Sequence, residues 1–205
     1  MMVTLTTEDA MPLAAMLFDL DGTITEPLLD FAAMKREIGI PTDSFILEAL
    51  EGMSPAEQAR AMAVVERHEQ QAAETCRLND GAGPLLEELQ RRAIPTGVIT
   101  RNSAASLAIV LRRHALRFAA AICREHASPK PSPEGIRLAL AQLNVSPAEA
   151  AYVGDHTIDI RAGRAAGTRT IWVTNGGRLD PPPEPDFEVT SPSEIIALLD
   201  VLQES

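Results

Sequence analysis

The stretch Leu13-Ala14-Ala15-Met16-Leu17-Phe18-Asp19-Leu20-Asp21-Gly22-Thr23 decides the reading of this chain. An unbroken apolar run ahead of two aspartates describes a strand covered on both faces, the habit of a parallel sheet. Asp19 and Asp21 stand where that strand ends. Two carboxylates two residues apart repel one another, and core packing calls for neither. A divalent cation between them makes sense of both, because Mg²⁺ takes oxygen ligands, typically one or two carboxylates together with substrate phosphate oxygens. A carboxylate can also attack phosphorus, and a second one nearby can protonate the leaving oxygen. Gly22 lets the backbone turn sharply, and Thr23 offers a hydroxyl and an amide. The alternative for these five residues is a polar turn of the kind Asp-Gly favours.

Similar apolar runs recur along the chain. Thr96 to Ile99 ends at Thr100, Ala151 to Val153 at Gly154-Asp155, and Thr170 to Val173 at Thr174; Phe118 to Ile122 is an alanine-rich further candidate. Each precedes a helical pattern, so the chain predicts an α/β fold, a Rossmann-like parallel β-sheet core with helices on both faces. Sites in such sheets lie beyond the carboxyl ends of the strands, which sends these polar residues to one edge. The alternation lapses from about Thr25 to Leu78, where only helical signals occur. Asp30 can cap a helix with Phe31, Met34 and Ile38, stopped at Gly39. Asp43 can cap a second with Ile46, Leu47 and Leu50, stopped at Gly52, and Ser54 opens a long third. The expected organisation is therefore a core of residues 1–24 and 79–205, with a small all-helical insert of residues 25–78 after the first strand and Asn79-Asp80-Gly81 as the return hinge. Ser54-Pro55-Ala56-Glu57, Ser146-Pro147-Ala148-Glu149 and Ser191-Pro192-Ser193-Glu194 each read as a capped helix start. The run Pro181-Pro182-Pro183-Glu184-Pro185 reads as a stiff surface loop.

The 205 residues carry a formal charge of -11, which argues against nucleic acid or an anionic membrane as partner. No run of about 18 apolar residues exists, so no transmembrane helix is expected. The N-terminal segment lacks the cationic start of a signal peptide, which leaves a cytoplasmic location as the expectation. Cys76 and Cys123 fit neither a disulfide framework nor a metal clip and read as small buried hydrophobes. An acidic chain repels phosphorylated substrates, so a phosphate site here needs a local cation or a set of amide donors. Three segments can meet that need. Thr100-Arg101-Asn102 places a hydroxyl and free amides at a helix start, where the alternative is simple capping by Asn102 or Ser103. Lys130 is held between prolines in Ser128-Pro129-Lys130-Pro131-Ser132-Pro133 and presents an ammonium. Gly154-Asp155-His156-Thr157-Ile158-Asp159 offers a metal carboxylate in Asp155, with Asp159 one helical turn on. His156 receives no catalytic role.

Taken together, these segments resemble the haloacid dehalogenase superfamily and specifically its phosphatases, of the phosphoglycolate phosphatase-like kind. Asp19-Leu20-Asp21-Gly22-Thr23 resembles the first motif, Thr100 after Gly97-Val98-Ile99 the second, Lys130 the third, and Gly154-Asp155 with Asp159 the fourth. The resemblance implies that Asp19 is the nucleophile and a magnesium ligand, and that Asp21 is the general acid/base and binds magnesium through its carbonyl. It also implies that Thr100 and Lys130 hold the phosphoryl group, with Gly22, Thr23, Arg101 and Asn102 around it. Asp155 would complete the Mg²⁺ site and Asp159 would act from behind it. The helical insert resembles the family's small α-helical cap, though short for it, and Lys35, Arg36, Arg60, Arg67, His68 and Arg77 are its candidate substrate contacts. Asp21 argues against the family's dehalogenases and phosphonatases, which lack it. The expected activity is hydrolysis of a small phosphorylated metabolite by a monomer or weak homodimer. A phosphosugar mutase with the same aspartyl-phosphate chemistry, or a catalytically silent binding domain, are the alternatives.

Overall fold

The computed structural model describes residues 11–178 and 184–204. In chain order the elements are β1 (Ala15–Phe18), α1 (Phe31–Ile38), α2 (Ile46–Leu50), α3 (Pro55–Thr75), α4 (Ala82–Arg91), β2 (Thr96–Ile99), α5 (Ala104–Arg113), β3 (Ala120–Ile122), α6 (Glu134–Leu143), β4 (Ala150–Gly154), α7 (Thr157–Ala166), β5 (Arg169–Val173), β6 (Phe187–Val189) and α8 (Pro192–Glu204). The strands form one parallel sheet in the order β3-β2-β1-β4-β5-β6. From β1 the chain steps outward through β2 and β3, then crosses back to β4 and continues the other way. The reversal between β1 and β4 opens a crevice at the strands' carboxyl ends, where sheets of this kind hold their ligands.

The apolar runs are doubly buried because alternate residues serve opposite layers. Met16 and Phe18 join Val98, Ala151, Val153 and Ile171 on one face, covered by Leu85 and Leu89 of α4, Leu107 and Val110 of α5, and Ile195 and Leu199 of α8. Ala15, Leu17, Ile99, Ala120 and Tyr152 face the other way onto Ile136 and Leu140 of α6 and Ala162 of α7. Cys76 and Cys123 are free and buried. No described helix is long and apolar enough to cross a membrane.

Between β1 and α4 the helices α1 to α3 enclose a cluster of their own, Met34, Ile46, Leu50, Ala61 and Val65. The chain leaves for this segment and returns from it side by side: Thr25 bridges Leu78, the Glu26 amide donates to the Arg77 carbonyl at 3.0 Å, and the Asn79 amide to the Ile24 carbonyl at 2.9 Å. The capping signals hold for α1, whose Asp30 side chain accepts from the Ala33 amide and whose Gly39 is left-handed, and for α3, which starts with a full capping box at Ser54 and Glu57. Two local expectations are corrected, and one strand was not expected. Asp43 caps nothing in α2, which begins after Phe45 and lasts one turn and a half. Ser146-Pro147 opens only a 3₁₀ turn over Pro147–Glu149, because the strand residues from Ala150 follow at once. The sixth strand, Phe187–Val189, is too short and too polar at Glu188 to be seen in the sequence. Most of the proline run at 181–185 lies outside the described residues.

The contact between α7 and the sheet is close enough to require glycine. A Cβ at Gly163 would sit 2.7 Å from the Thr170 methyl and 3.3 Å from the Tyr152 Cβ. Thr170 cannot rotate away, since its hydroxyl is held 2.8 Å from Asp186. Gly163→Ala should therefore destabilise the protein by about 1–3 kcal/mol through overpacking, outweighing the roughly 1 kcal/mol that alanine gains in a helix. Urea denaturation of the two proteins measures the balance, and a more stable variant would contradict the close packing.

Candidate active site

Four strand ends converge on the crevice. Asp19 follows β1, Thr100 follows β2, and Asp155 follows β4; Asp159 rises from the first turn of α7, and Lys130 reaches in from the loop between β3 and α6. The Lys130 ammonium is buried, forms an ion pair with Asp19, and lies 2.6 Å from Asp159. It also donates to the Tyr152 hydroxyl at 3.0 Å and the Ile99 carbonyl at 3.3 Å. Asp159 additionally accepts from the His156 amide at 3.0 Å, while His156, not Asp155, is the N-cap of α7. Asp21 points elsewhere, accepting from the Asn102 side-chain amide at 2.6 Å. Asn102 is in turn placed by its own backbone amide donating to the Thr100 hydroxyl at 3.1 Å.

The site suits a divalent cation. Asp19, Asp155 and Asp159 each bring a carboxylate oxygen within 4.8 Å of the others. No described side chain donates to the Asp155 carboxylate, and Gly22 makes room for it, since a Cβ there would strike that carboxylate. Three carboxylates against one ammonium leave a charge of two to be balanced, and hard oxygen donors are the ligands that Mg²⁺ and Ca²⁺ take. Without a cation the acids hold protons more tightly than usual. Burial, opposed by Lys130 and reinforced by Asp159 and Asp21, raises Asp19 to about 7. Burial and the Asp19 charge raise Asp155 to about 8. Burial, partly offset by the Asn102 hydrogen bond, raises Asp21 to about 6.

A cleft of about 280 Å³ stands over these groups, roofed by α1, α2 and part of α3. Arg101 lines it, donating to both oxygens of Glu48 on α2 at 2.9 and 2.7 Å and to the Lys130 carbonyl at 2.9 Å. Gly22 and Thr23 do not line it. Both are buried behind its wall, the Gly22 carbonyl held by the side-chain amides of Asn79 at 3.1 Å and Asn175 at 2.7 Å. Of the six cations of the insert, only Lys35 lines the cleft; Arg67 and His68 pair with Glu37 instead. The sequence reading missed Glu69. This buried acid of α3 accepts from the Ser103 amide at 3.1 Å and pairs with Arg124 at 2.6 Å, so it anchors the start of α5 next to Asn102. A signal for it exists: Ala61, Val65, Glu69 and Ala73 form one buried stripe at a spacing of four, with a charge where an apolar residue is expected.

The profile of the haloacid dehalogenase-like hydrolases matches residues 29–173. This chain belongs to that family. An N-acetylmuramic acid 6-phosphate phosphatase of Pseudomonas putida is 32% identical, over 93% of this chain and 97% of its own. A haloacid dehalogenase-like hydrolase domain-containing protein of Arabidopsis thaliana is also 32% identical, over 97% of this chain and 89% of its own. Among solved structures, a putative phosphoglycolate phosphatase from Lactobacillus plantarum superposes with a TM-score of 0.76 over 92% of this chain and all of its own, at 23% identity, which speaks to the fold. The haloacid dehalogenase-like chain is accordingly a hydrolase of the phosphatase kind. Phosphatases of this family generally work with a divalent metal, and the aspartate triad of this chain has the donors to hold one.

The raised carboxylates set the sign of a pH effect. In the metal-free folded protein Asp19 and Asp155 keep protons up to about 7 and about 8, whereas in the unfolded chain they lose them near about 4. The folded state binds more protons in that interval, so its stability falls as pH rises through it. The melting temperature in chelator should be lower near about pH 8.5 than near about pH 6, and saturating Mg²⁺ should raise it more at the higher pH. Thermal melts at both pH values, with and without the cation, test this; an equal Mg²⁺ effect at the two would contradict the assigned cluster.

Proposed function

We propose that this haloacid dehalogenase-like protein is a Mg²⁺-dependent phosphomonoesterase that cleaves a small phosphorylated metabolite through a phosphorylated Asp19. The observation that supports it most is the division of labour between the two aspartates. Asp19 is fixed by Lys130 on the floor of the cleft with its carboxylate among acidic neighbours, while Asp21, two residues on, is turned to Asn102 and raised to about 6 by burial. One is set up to attack, the other to carry a proton near neutral pH.

In this reading Asp19 attacks phosphorus, the ester P–O bond breaks, and Asp21 gives its proton to the departing alcohol oxygen. Asp21, now ionised, takes a proton from water as that water attacks phosphorus; the bond to Asp19 breaks and inorganic phosphate leaves with Asp19 restored. The Thr100 hydroxyl and the Lys130 ammonium receive the phosphoryl oxygens. Mg²⁺ held by Asp19, Asp155 and the Asp21 carbonyl would offset the charge of phosphoryl group and carboxylates together. Asp159 keeps Lys130 in place. Residues 25–78 serve as the cap, closing the cleft against water and touching the alcohol part of the substrate.

Asp19→Asn should abolish Mg²⁺-dependent cleavage of p-nitrophenyl phosphate. Asp21→Asn should lower kcat by about 10²–10⁴-fold with less effect on KM. Steady-state kinetics and trapping of a phosphorylated enzyme check both, and an active Asp19→Asn protein would refute the nucleophile assignment.

A further inference from the structure

The alcohol half of the substrate is the part the phosphate-binding floor does not specify, and the roof of the cleft bears on it. The chain has only five phenylalanines, one tryptophan and one tyrosine. Phe18, Phe118 and Phe187 pack in or against the main core. The other two, Phe31 and Phe45, line the cleft from the insert and stay 53% and 47% exposed. Neither belongs to the insert's own buried cluster, which Met34, Ile46 and Val65 provide directly beneath the cleft wall. The two rings converge on a concave site instead of being scattered over the surface.

The charged groups of the same wall are already engaged. Lys35 donates to the Thr42 carbonyl at 2.7 Å, and Arg101 is held by both Glu48 oxygens while its guanidinium lies 5.5 Å from the Phe45 ring centre. The remaining lining charges are Lys130, paired with Asp19 and Asp159, the floor acids Asp21 and Asp155 beside them, and Glu69, paired with Arg124. Apart from the Ser44 hydroxyl, what the roof has left to offer an alcohol is apolar and aromatic surface.

We propose that the substrate is the phosphomonoester of an alcohol carrying an apolar ring face, with Phe31 and Phe45 as the residues that select it. The inference rests on the reading of the cleft as a phosphoester site. It excludes short, highly polar alcohols as preferred leaving groups, because they would leave both rings in water.

Two uncleavable probes isolate the effect: 3-phenylpropylphosphonate and propylphosphonate, titrated calorimetrically into the full chain with saturating Mg²⁺. The phenyl compound should bind about tenfold more tightly or better, the order of one well-formed aromatic contact. In a Phe31→Ala, Phe45→Ala protein that advantage should fall to within about twofold, with propylphosphonate affinity unchanged and a cooperative thermal melt retained, since both side chains are about half exposed. Equal affinities in the wild type, no binding of the phenyl compound, or a preference that survives the double substitution would overturn the proposal. Hydrolysis of 2-phenylethyl phosphate and ethyl phosphate, measured alongside, reports separately on the phosphatase reading: if neither ester is cleaved while the phenylphosphonate preference stands, catalysis fails and the ring specificity does not.

Discussion

The contact on which the site depends is the buried Lys130 ammonium between Asp19 and Asp159. A lysine so deep in the fold is stable only when paired and hydrogen-bonded, and here it draws on elements that are far apart in sequence. It touches a carboxylate after β1, a carbonyl of β2, a hydroxyl of β4 and a carboxylate of α7. Removing it would leave two acids buried against one another. The loop between β3 and α6 is thereby bound to the strand ends at the switch point.

That pairing leaves the site underneutralised. One ammonium cannot balance three carboxylates, and burial makes the surplus costly; the raised acids Asp19 and Asp155 register that cost. A chain with a formal charge of -11 would ordinarily repel a phosphate ester. Concentrating the excess acid at one buried point turns that difficulty into selectivity, because a cation drawn there by the carboxylates reverses the local field. Asp21 stays apart from this exchange: its hydrogen bond to Asn102 keeps a titratable group beside the cluster without adding it to the cluster.

How much of this could be read from sequence depended on the range of the interactions. The strands were legible because burial on both faces writes an unbroken apolar run, and the polar residues closing those runs came together as parallel topology requires. Asp19, Asp155 and Lys130 each had a bland alternative in the sequence, and the structure brings all three together at the strand ends. Gly22 and Thr23 stood in the same motif, yet their places are behind the wall, where the Gly22 carbonyl meets Asn175 from the far side of the sheet; a local motif carries no sign of such a long-range partner. Glu69 and Phe45 were hidden for the opposite reason. Phe45 looks like ordinary surface, and Glu69 like a stray charge in the apolar stripe of α3, until α2 and α3 are docked over the crevice, and docking is set by shape that a single sequence does not record.

The course of α3 has a mechanical consequence. Its first half lines the insert's private cluster, while Ala73 and the Cys76 that follows it are packed in the main core, and the buried Glu69 lies between with its partly buried guanidinium partner. Swinging the whole insert away would drag that ion pair into water or strand it half-made, a cost of several kcal/mol. The α1–α2 portion is fastened to the same helix, through Met34, Ile46 and Leu50 packed on Ala61 and Val65, while its Glu48–Arg101 pair to the core is exposed on the glutamate side and worth little against solvent. α3 is therefore one beam shared by both lobes, and a displacement of its middle is felt at the start of α5 as well as in the insert's own cluster.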